Sequence, residues 1–202
     1  MGEPSPMQFV PTLPPEEVAR ANFYGLLARL LYAPADAALL KTIAGAADID
    51  AQDGGLGAAW RALTRAAAGA DAEAVREEYD TVFIGTGKAP VTLYTCAYTI
   101  RYSNEAPLAQ LRGELYALGL ARRSEVSEPE DHIAALCDVM RHLIEQKHEL
   151  AQQKQFFERW IWPAVEPLCG AIEKSERTAF YKSVGSFFFG LCTLEHMAFE
   201  ML

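Results

Sequence analysis

Apolar residues recur along most of this chain at the spacing of a helix. Phe23, Leu26, Leu27, Leu30 and Leu31 follow the i, i+3, i+4, i+7, i+8 pattern, behind a start at Pro14-Pro15-Glu16-Glu17 and ahead of a stop at Pro34. An alanine-rich helix is predicted from about Ala35 to Ala46, then a loop from Asp48 to Gly57. A third helix runs through Trp60 and Leu63 to about Ala68. Asp71 caps a fourth, with Val75, Tyr79, Val82 and Phe83 on its apolar side and Gly85 at its end.

The period is lost between 85 and 102. Val91, Thr92, Tyr94, Thr95, Cys96, Tyr98, Thr99 and Ile100 have strand-like character, yet no partner strand is evident, so this segment reads as a long ordered extended loop. A loop of this length in a compact domain is more often functional than idle. Ser103 or Asn104 then caps a helix with Leu108, Leu111, Leu115 and Leu118 on its core face and Gly119 at its end.

Ser127-Glu128-Pro129-Glu130-Asp131-His132 reads as the start of the helix on which the chain is organised. Ser127 and Glu130 fit a capping box and Pro129 fits the first turn. Glu125, Glu128, Glu130 and Asp131 crowd the end that the helix dipole makes favourable for acids. Ile133, Leu136, Cys137, Met140, Leu143 and Ile144 form its buried stripe, to about Leu150. The next helix carries Phe156, Phe157, Trp160 and Ile161 and bends at Pro163 and Pro167. The last opens at Thr178, with Phe180, Val184, Phe187, Phe188, Leu191 and Leu194. The fold predicted is all-α, a single-domain multi-helix bundle of roughly eight to ten helices over 14–202, behind a flexible arm at 1–13.

Composition narrows the function. The 202 residues carry a net charge of −9, which argues against nucleic acid and anionic membrane surfaces as partners. No apolar run reaches the length of a membrane span, so no direct membrane insertion is expected. The N-terminal stretch lacks the pattern of a secretory signal. Cys96, Cys137, Cys169 and Cys192 are scattered as reduced, mostly buried thiols of a cytoplasmic protein would be.

Chemical motifs fail one by one. His148-Glu149 resembles the start of a zinc-protease helix, but Gln152 stands where the second histidine belongs. Cys192 and His196 share a helix face without a second pair of ligands. Gly85-Thr86-Gly87-Lys88 is no phosphate loop, because Val82 and Ala89 occupy the positions of its first glycine and its Ser/Thr. Cys96 has no nucleophile context, and Phe187-Phe188-Phe189 reads as core. No metal, cofactor or catalytic residue is expected, and the protein reads as a non-enzyme.

Three segments carry a family resemblance. Glu78-Tyr79-Asp80-Thr81-Val82-Phe83-Ile84-Gly85 is similar to a Glu-aromatic-x-x-Leu-Phe-x-Gly segment, and Glu128-Pro129-Glu130-Asp131-His132 to a Glu-Pro-x-Asp-His signature. Phe156 to Pro163 is similar to a Phe-Phe segment ending near Trp-Pro. From about residue 16 onward the order resembles the TorD/DmsD-type chaperones, related to the NarJ type, that serve molybdenum-cofactor oxidoreductases. The resemblance implies a cytoplasmic, all-helical chaperone. It implies binding of the twin-arginine leader and the immature apo-form of a molybdopterin oxidoreductase, DMSO/TMAO reductase-like or formate dehydrogenase-like, with export held back until cofactor insertion. It ties Asp131 and His132 to leader binding, with Glu78, Tyr79, Phe83 and the following loop in the same groove. Where the family loop often has a Pro-x-x-Ser-type stretch, this chain has Thr92-Leu93-Tyr94-Thr95-Cys96.

The chemistry suits such a ligand. Guanidinium groups seek carboxylates in bidentate pairs, and Asp131, Glu128 and Glu78 are candidates. An apolar leader helix seeks an aromatic groove, for which Tyr79, Phe83, Tyr94 and Tyr98 are candidates, with Pro129 beside the signature acids. His132 lies near neutral in its reference titration. Two rivals stand beside this reading. One is a NarJ-like mode that grips the apo-enzyme body without its leader. The other is a nucleotide-using enzyme motivated by Gly85–Lys88. The resemblance allows a monomer or a helix-swapped dimer, with the segment near Pro163 as hinge.

Overall fold

A computed structural model describes residues 13–49, 54–85, 87, 89–100, 106–124 and 127–202. The expected N-terminal arm up to residue 12, the Ser103/Asn104 cap, Glu125 and the Thr86 and Lys88 positions of the glycine loop lie outside the described residues. Helix α1 (Pro15–Tyr32) begins with proline in its first turn. Helix α2 (Ala37–Ala44) is capped by Asp36, whose carboxylate accepts from the Leu39 N–H at 2.7 Å. Helix α3 is Gly54–Gly69, and α4 (Ala72–Tyr79) has the expected Asp71 cap, accepting from the Glu73 and Ala74 amides. A π-helical turn, Asp80–Ile84, extends α4 to Gly85, whose φ of 64° ends it. The fold is all-α: among the described residues there is no strand.

The long loop holds one short helix, α5 (Cys96–Thr99), and then α6 spans Pro107–Ala117. The organising helix is shorter than predicted at both ends: α7 is Ile133–Glu145. Its capping box does not form. His132 has φ −64° and ψ 128°, an extended conformation, and its Nδ1 accepts from the Ala134 N–H at 3.2 Å, so His132 itself is the cap. The cause is the loop. Tyr94 and His132 make an antiparallel bridge, with the Ile133 N–H donating to the Leu93 carbonyl (2.8 Å) and the Thr95 N–H to the Asp131 carbonyl (3.0 Å). A backbone held as a strand at 132 cannot also be helical. Glu130 is drawn instead to Arg112 (3.0 Å) and Arg122 (3.5 Å).

At its C-terminus α7 closes through paired bonds, His148 N–H to Leu143 carbonyl (2.9 Å) and Lys147 N–H to Ile144 carbonyl (3.0 Å). Helix α8 is Leu150–Phe156, followed by a π turn, Phe157–Ile161, and α9, Trp162–Lys174. The α-helical pattern is interrupted upstream of both prolines, in that π turn. Pro163 sits in the first turn of α9, where a missing N–H costs little, and α9 continues through Pro167. Helix α10 (Phe180–Glu200) starts two residues beyond Thr178. The Thr178 hydroxyl turns back to the carbonyls of Ile172 and Ser175.

Helix α1 lies along α7, and α10 packs between α3 and α9. Their shared core includes Tyr24, Leu27, Leu30, Leu136, Met140, Phe157, Phe187 and Phe188, all without solvent contact. Phe23, Trp60 and Phe187 join α1, α3 and α10 at ring separations of 5.2–5.5 Å. All four cysteines are free thiols.

Candidate functional site

The loop and the segment before α7 are tied together at Asp131. This aspartate is 5% exposed. Its carbonyl accepts from the Thr95 N–H and hydroxyl, and its carboxylate Oδ2 accepts from the Cys96 N–H at 3.3 Å. Burial and the neighbouring Asp131 carboxylate push the Cys96 thiol up to about 12, so it stays protonated near neutral pH. His132 is equally buried. Its ring meets Tyr94 edge to face at 5.3 Å and Tyr32 at 6.3 Å. Accepting a bond at Nδ1 requires the neutral tautomer with its proton on Nε2. Burial lowers the His132 pKa below its ordinary value, against the upward pull of Glu128 and Asp131.

Above this buried layer lies an accessible one. The Tyr94 hydroxyl donates to Glu128 Oε2. That bond, then burial, pushes the Tyr94 hydroxyl up to about 12. Glu128 and Pro129 are half-buried, while Tyr32 at the end of α1 is 54% exposed. Glu128, Pro129 and His132 end a groove of about 980 Å³ between α1 and α7, walled on one side by residues 120–123 beyond α6. Asp138 and Glu145 in this groove pair with Arg141, and Glu130 pairs with Arg112 and Arg122. Among the described residues Glu128 has no cation partner.

The structure therefore gathers Tyr94, Glu128, Pro129, Asp131 and His132. Tyr79 lies beneath them. It is buried, its hydroxyl donates to the Leu31 carbonyl (3.1 Å), and burial, then Glu128, raises its pKa. Phe83 stacks behind it against Tyr181, with ring separations of 5.2 and 5.0 Å, so both aromatics are core rather than groove lining. Tyr98 is half-buried on α5, donates to the Thr92 carbonyl (2.8 Å), and packs on the α9 side. Glu78 is elsewhere: its carboxylate accepts from the Phe180 and Tyr181 amides at 3.0 and 2.7 Å and caps α10. Sequence reasoning missed Tyr32, Arg29, Arg123 and Arg141, which line the groove. Nothing in their spacing connects residue 32 to residue 132; only the α1–α7 packing does.

Among the described residues no group of His, Cys, Asp and Glu is arranged to hold a metal ion, and no helix is long and apolar enough to cross a membrane. Residues 49–169 match the family model of the nitrate reductase delta subunit. That is more than half of the chain, and the protein belongs to this family, the NarJ/TorD type of redox-enzyme maturation chaperones. No curated protein sequence matches this chain. Its fold is similar to the crystal structure of a provisionally assigned redox enzyme maturation protein from Archaeoglobus fulgidus. The two are 19% identical, with a TM-score of 0.54, over 91% of this chain and 95% of that one.

Proposed function

We propose that this chaperone binds the twin-arginine leader of an immature molybdenum-cofactor oxidoreductase in the α1–α7 groove, in the cytoplasm, and holds back export until cofactor is inserted. The observation that carries this reading is Glu128. It is an accessible carboxylate at the end of the groove, positioned by Tyr94 and free of any cation among the described residues. A leader guanidinium supplies the missing partner, in a charge-assisted bond stronger than a neutral one. Tyr32 and Tyr94 offer aromatic faces for the same group or for the apolar residues that follow. Asp131, buried and off the groove, acts by positioning the loop and Tyr94, while His132, nearly buried at the groove's end, holds the Tyr94 ring.

A second reading has its own support. The groove also carries Arg29, Arg123 and Arg141, which oppose a doubly cationic ligand, and the family match is to the nitrate reductase delta subunit. In that reading the body of the apo-enzyme is gripped and the leader matters little. Calorimetric titration with a synthetic twin-arginine leader and its twin-lysine form separates the two. Saturable binding that weakens about tenfold with lysine, and again with Glu128→Gln, is the expected result. No binding of either peptide, with the leaderless apo-enzyme still captured, overturns leader recognition.

A further inference from the structure

Helix α10 has two faces that its own fold treats differently. One, through Tyr181, Val184, Phe187, Phe188 and Leu191, is buried in the core. The other runs from Lys182 through Ser186 and Phe189 to Leu194 and Met197, at spacings of three to five; α9 and α3 pack against its glycines, Gly185 and Gly190, and Ser186, Phe189, Leu194 and Met197 stay exposed. It forms the floor of an open groove of about 940 Å³. Leu56, Ala59 and Ala62 of α3 make one wall; Glu166, Cys169 and Glu173 of α9 make the other. Phe189, Leu194 and Met197 are 43%, 45% and 53% exposed, a cluster of large apolar side chains along one stripe.

The shape fits a helix. Three helical stripes converge as they do around the missing member of a bundle. Gly190 lets the α3 wall close on the floor: a Cβ there would lie 3.4 Å from the Leu56 Cα. From Lys182 to Met197 the stripe is about 22 Å long, four helical turns at 1.5 Å per residue. The charge pattern selects the occupant. Glu166 and Glu173 lie two turns apart on the α9 wall, both exposed, and neither pairs with a described cation. A second copy of a chain with net charge −9 would bring acid to acid. Lys182, at the N-terminal end of the stripe, also has no ion pair to a described residue.

We infer that the α3–α9–α10 groove is a second docking site, and that it takes an amphipathic helix of the client protein with an apolar face flanked by basic residues seven apart. It shares no residue with the α1–α7 groove. The inference rests on the client-binding reading above but on none of its residues, and it lets one chaperone hold two segments of an unfinished enzyme at once.

The test uses the full chain and a labelled 16-residue leucine/alanine helix carrying two lysines seven apart on one flank, with a two-glutamate version as control, read by fluorescence anisotropy. Saturable binding of the lysine peptide is expected, weakened at least tenfold by Ser186→Trp, which fills the floor from an exposed position. The Glu166→Lys/Glu173→Lys double variant should lose the lysine peptide to the same extent and gain the glutamate one. Circular dichroism confirms that each variant is folded, and the double variant decides the matter if Ser186→Trp is not. Equal affinity in both variants, indifference to peptide charge, binding only after removal of residues 1–12, or a dimer in sedimentation that Ser186→Trp dissolves would each overturn the proposal. The twin-arginine leader is titrated in parallel: its binding should survive Ser186→Trp. With the wild-type chain, absence of leader binding alone sinks the leader reading, and absence of lysine-peptide binding alone sinks this groove.

Discussion

Tyr94 and His132 meet twice. Their backbones form an antiparallel bridge, and their rings pack edge to face with centroids 5.3 Å apart. One residue ends a loop's extended run; the other starts a helix. The bridge forces His132 out of helical geometry, and its ring then supplies the cap that Ser127 would otherwise provide. The candidate site is thus built from a local conflict between strand pairing and helix start, settled in favour of the pairing by burial of Leu93, Thr95, Asp131 and His132 together.

The buried cap gives the fold a dependence on pH. The His132 pKa is lowered in the folded protein, chiefly by burial, whereas the unfolded chain titrates near the ordinary value of about 6.5. Above that value both states are neutral and His132 adds no slope. As pH falls through about 6.5, the unfolded state takes up a proton that the folded state refuses, so stability declines. Urea unfolding at successive pH values should show this loss beginning below about 6.5. His132→Asn retains a short cap acceptor and should flatten that part of the profile; an unchanged profile would assign the slope to another group.

The tyrosine above the cap positions Glu128. Tyr94→Phe removes the hydroxyl and leaves the ring against His132. Stability should fall by only about 0.5–1.5 kcal/mol, the net worth of one hydrogen bond. Leader affinity should fall about three- to tenfold, because the carboxylate is no longer held toward the groove. Calorimetry on the variant checks both figures, and leader affinity equal to wild type removes Tyr94 from the site.

What the sequence could reveal depended on distance along the chain. Helix stripes, the Asp71 cap and the Gly85 and Gly119 stops are written within a few residues, and each was readable from spacing and turn chemistry. The Glu128–His132 cluster was readable as a candidate site because its residues are contiguous. Glu78 was misplaced because its ligand is the start of α10, some hundred residues later. Tyr79 and Phe83 looked like groove aromatics because an apolar stripe does not say whether the helix beside it is one's own. The α3–α9–α10 groove escaped notice because its α10 stripe mixes glycine, serine and lysine with Phe189 and Met197, and its walls come from two other helices.

A part-buried ion pair ties α1 to α10. Arg20 donates to both carboxylate oxygens of Glu195, at 3.1 and 2.5 Å, and also reaches Gln153 of α8 and Glu17. Burial disfavours the Arg20 charge, yet the Glu195 and Glu17 carboxylates outweigh it and raise its pKa. Glu195→Ala leaves a largely buried guanidinium with only Glu17 and Gln153, a loss expected to cost about 3–5 kcal/mol. Thermal and urea unfolding measure this. A Glu195→Gln/Arg20→Met double variant should recover much of it, since it removes both charges; no recovery would mean that the packing, not the uncompensated charge, sets the cost.

Lys147 offers a change in the opposite direction. It has φ 57°, the left-handed region, at the residue where α7 closes with its paired terminal bonds. Glycine takes this position in most such closures, because a Cβ crowds the backbone there at a cost of roughly 1–2 kcal/mol. At the end of α6 the equivalent residue is Gly119, φ 73°, with Gly119 N–H to Tyr116 and Leu120 N–H to Leu115 repeating the bond pattern. Lys147→Gly relieves the crowding but loosens the unfolded chain, which returns part of the gain. The expected net stabilisation is about 0.5–1 kcal/mol, with leader and helix-peptide binding unchanged because Lys147 lines neither groove. Chemical denaturation of the variant beside wild type decides it. A destabilised variant would mean that the lysine side chain contributes more than its backbone strain costs.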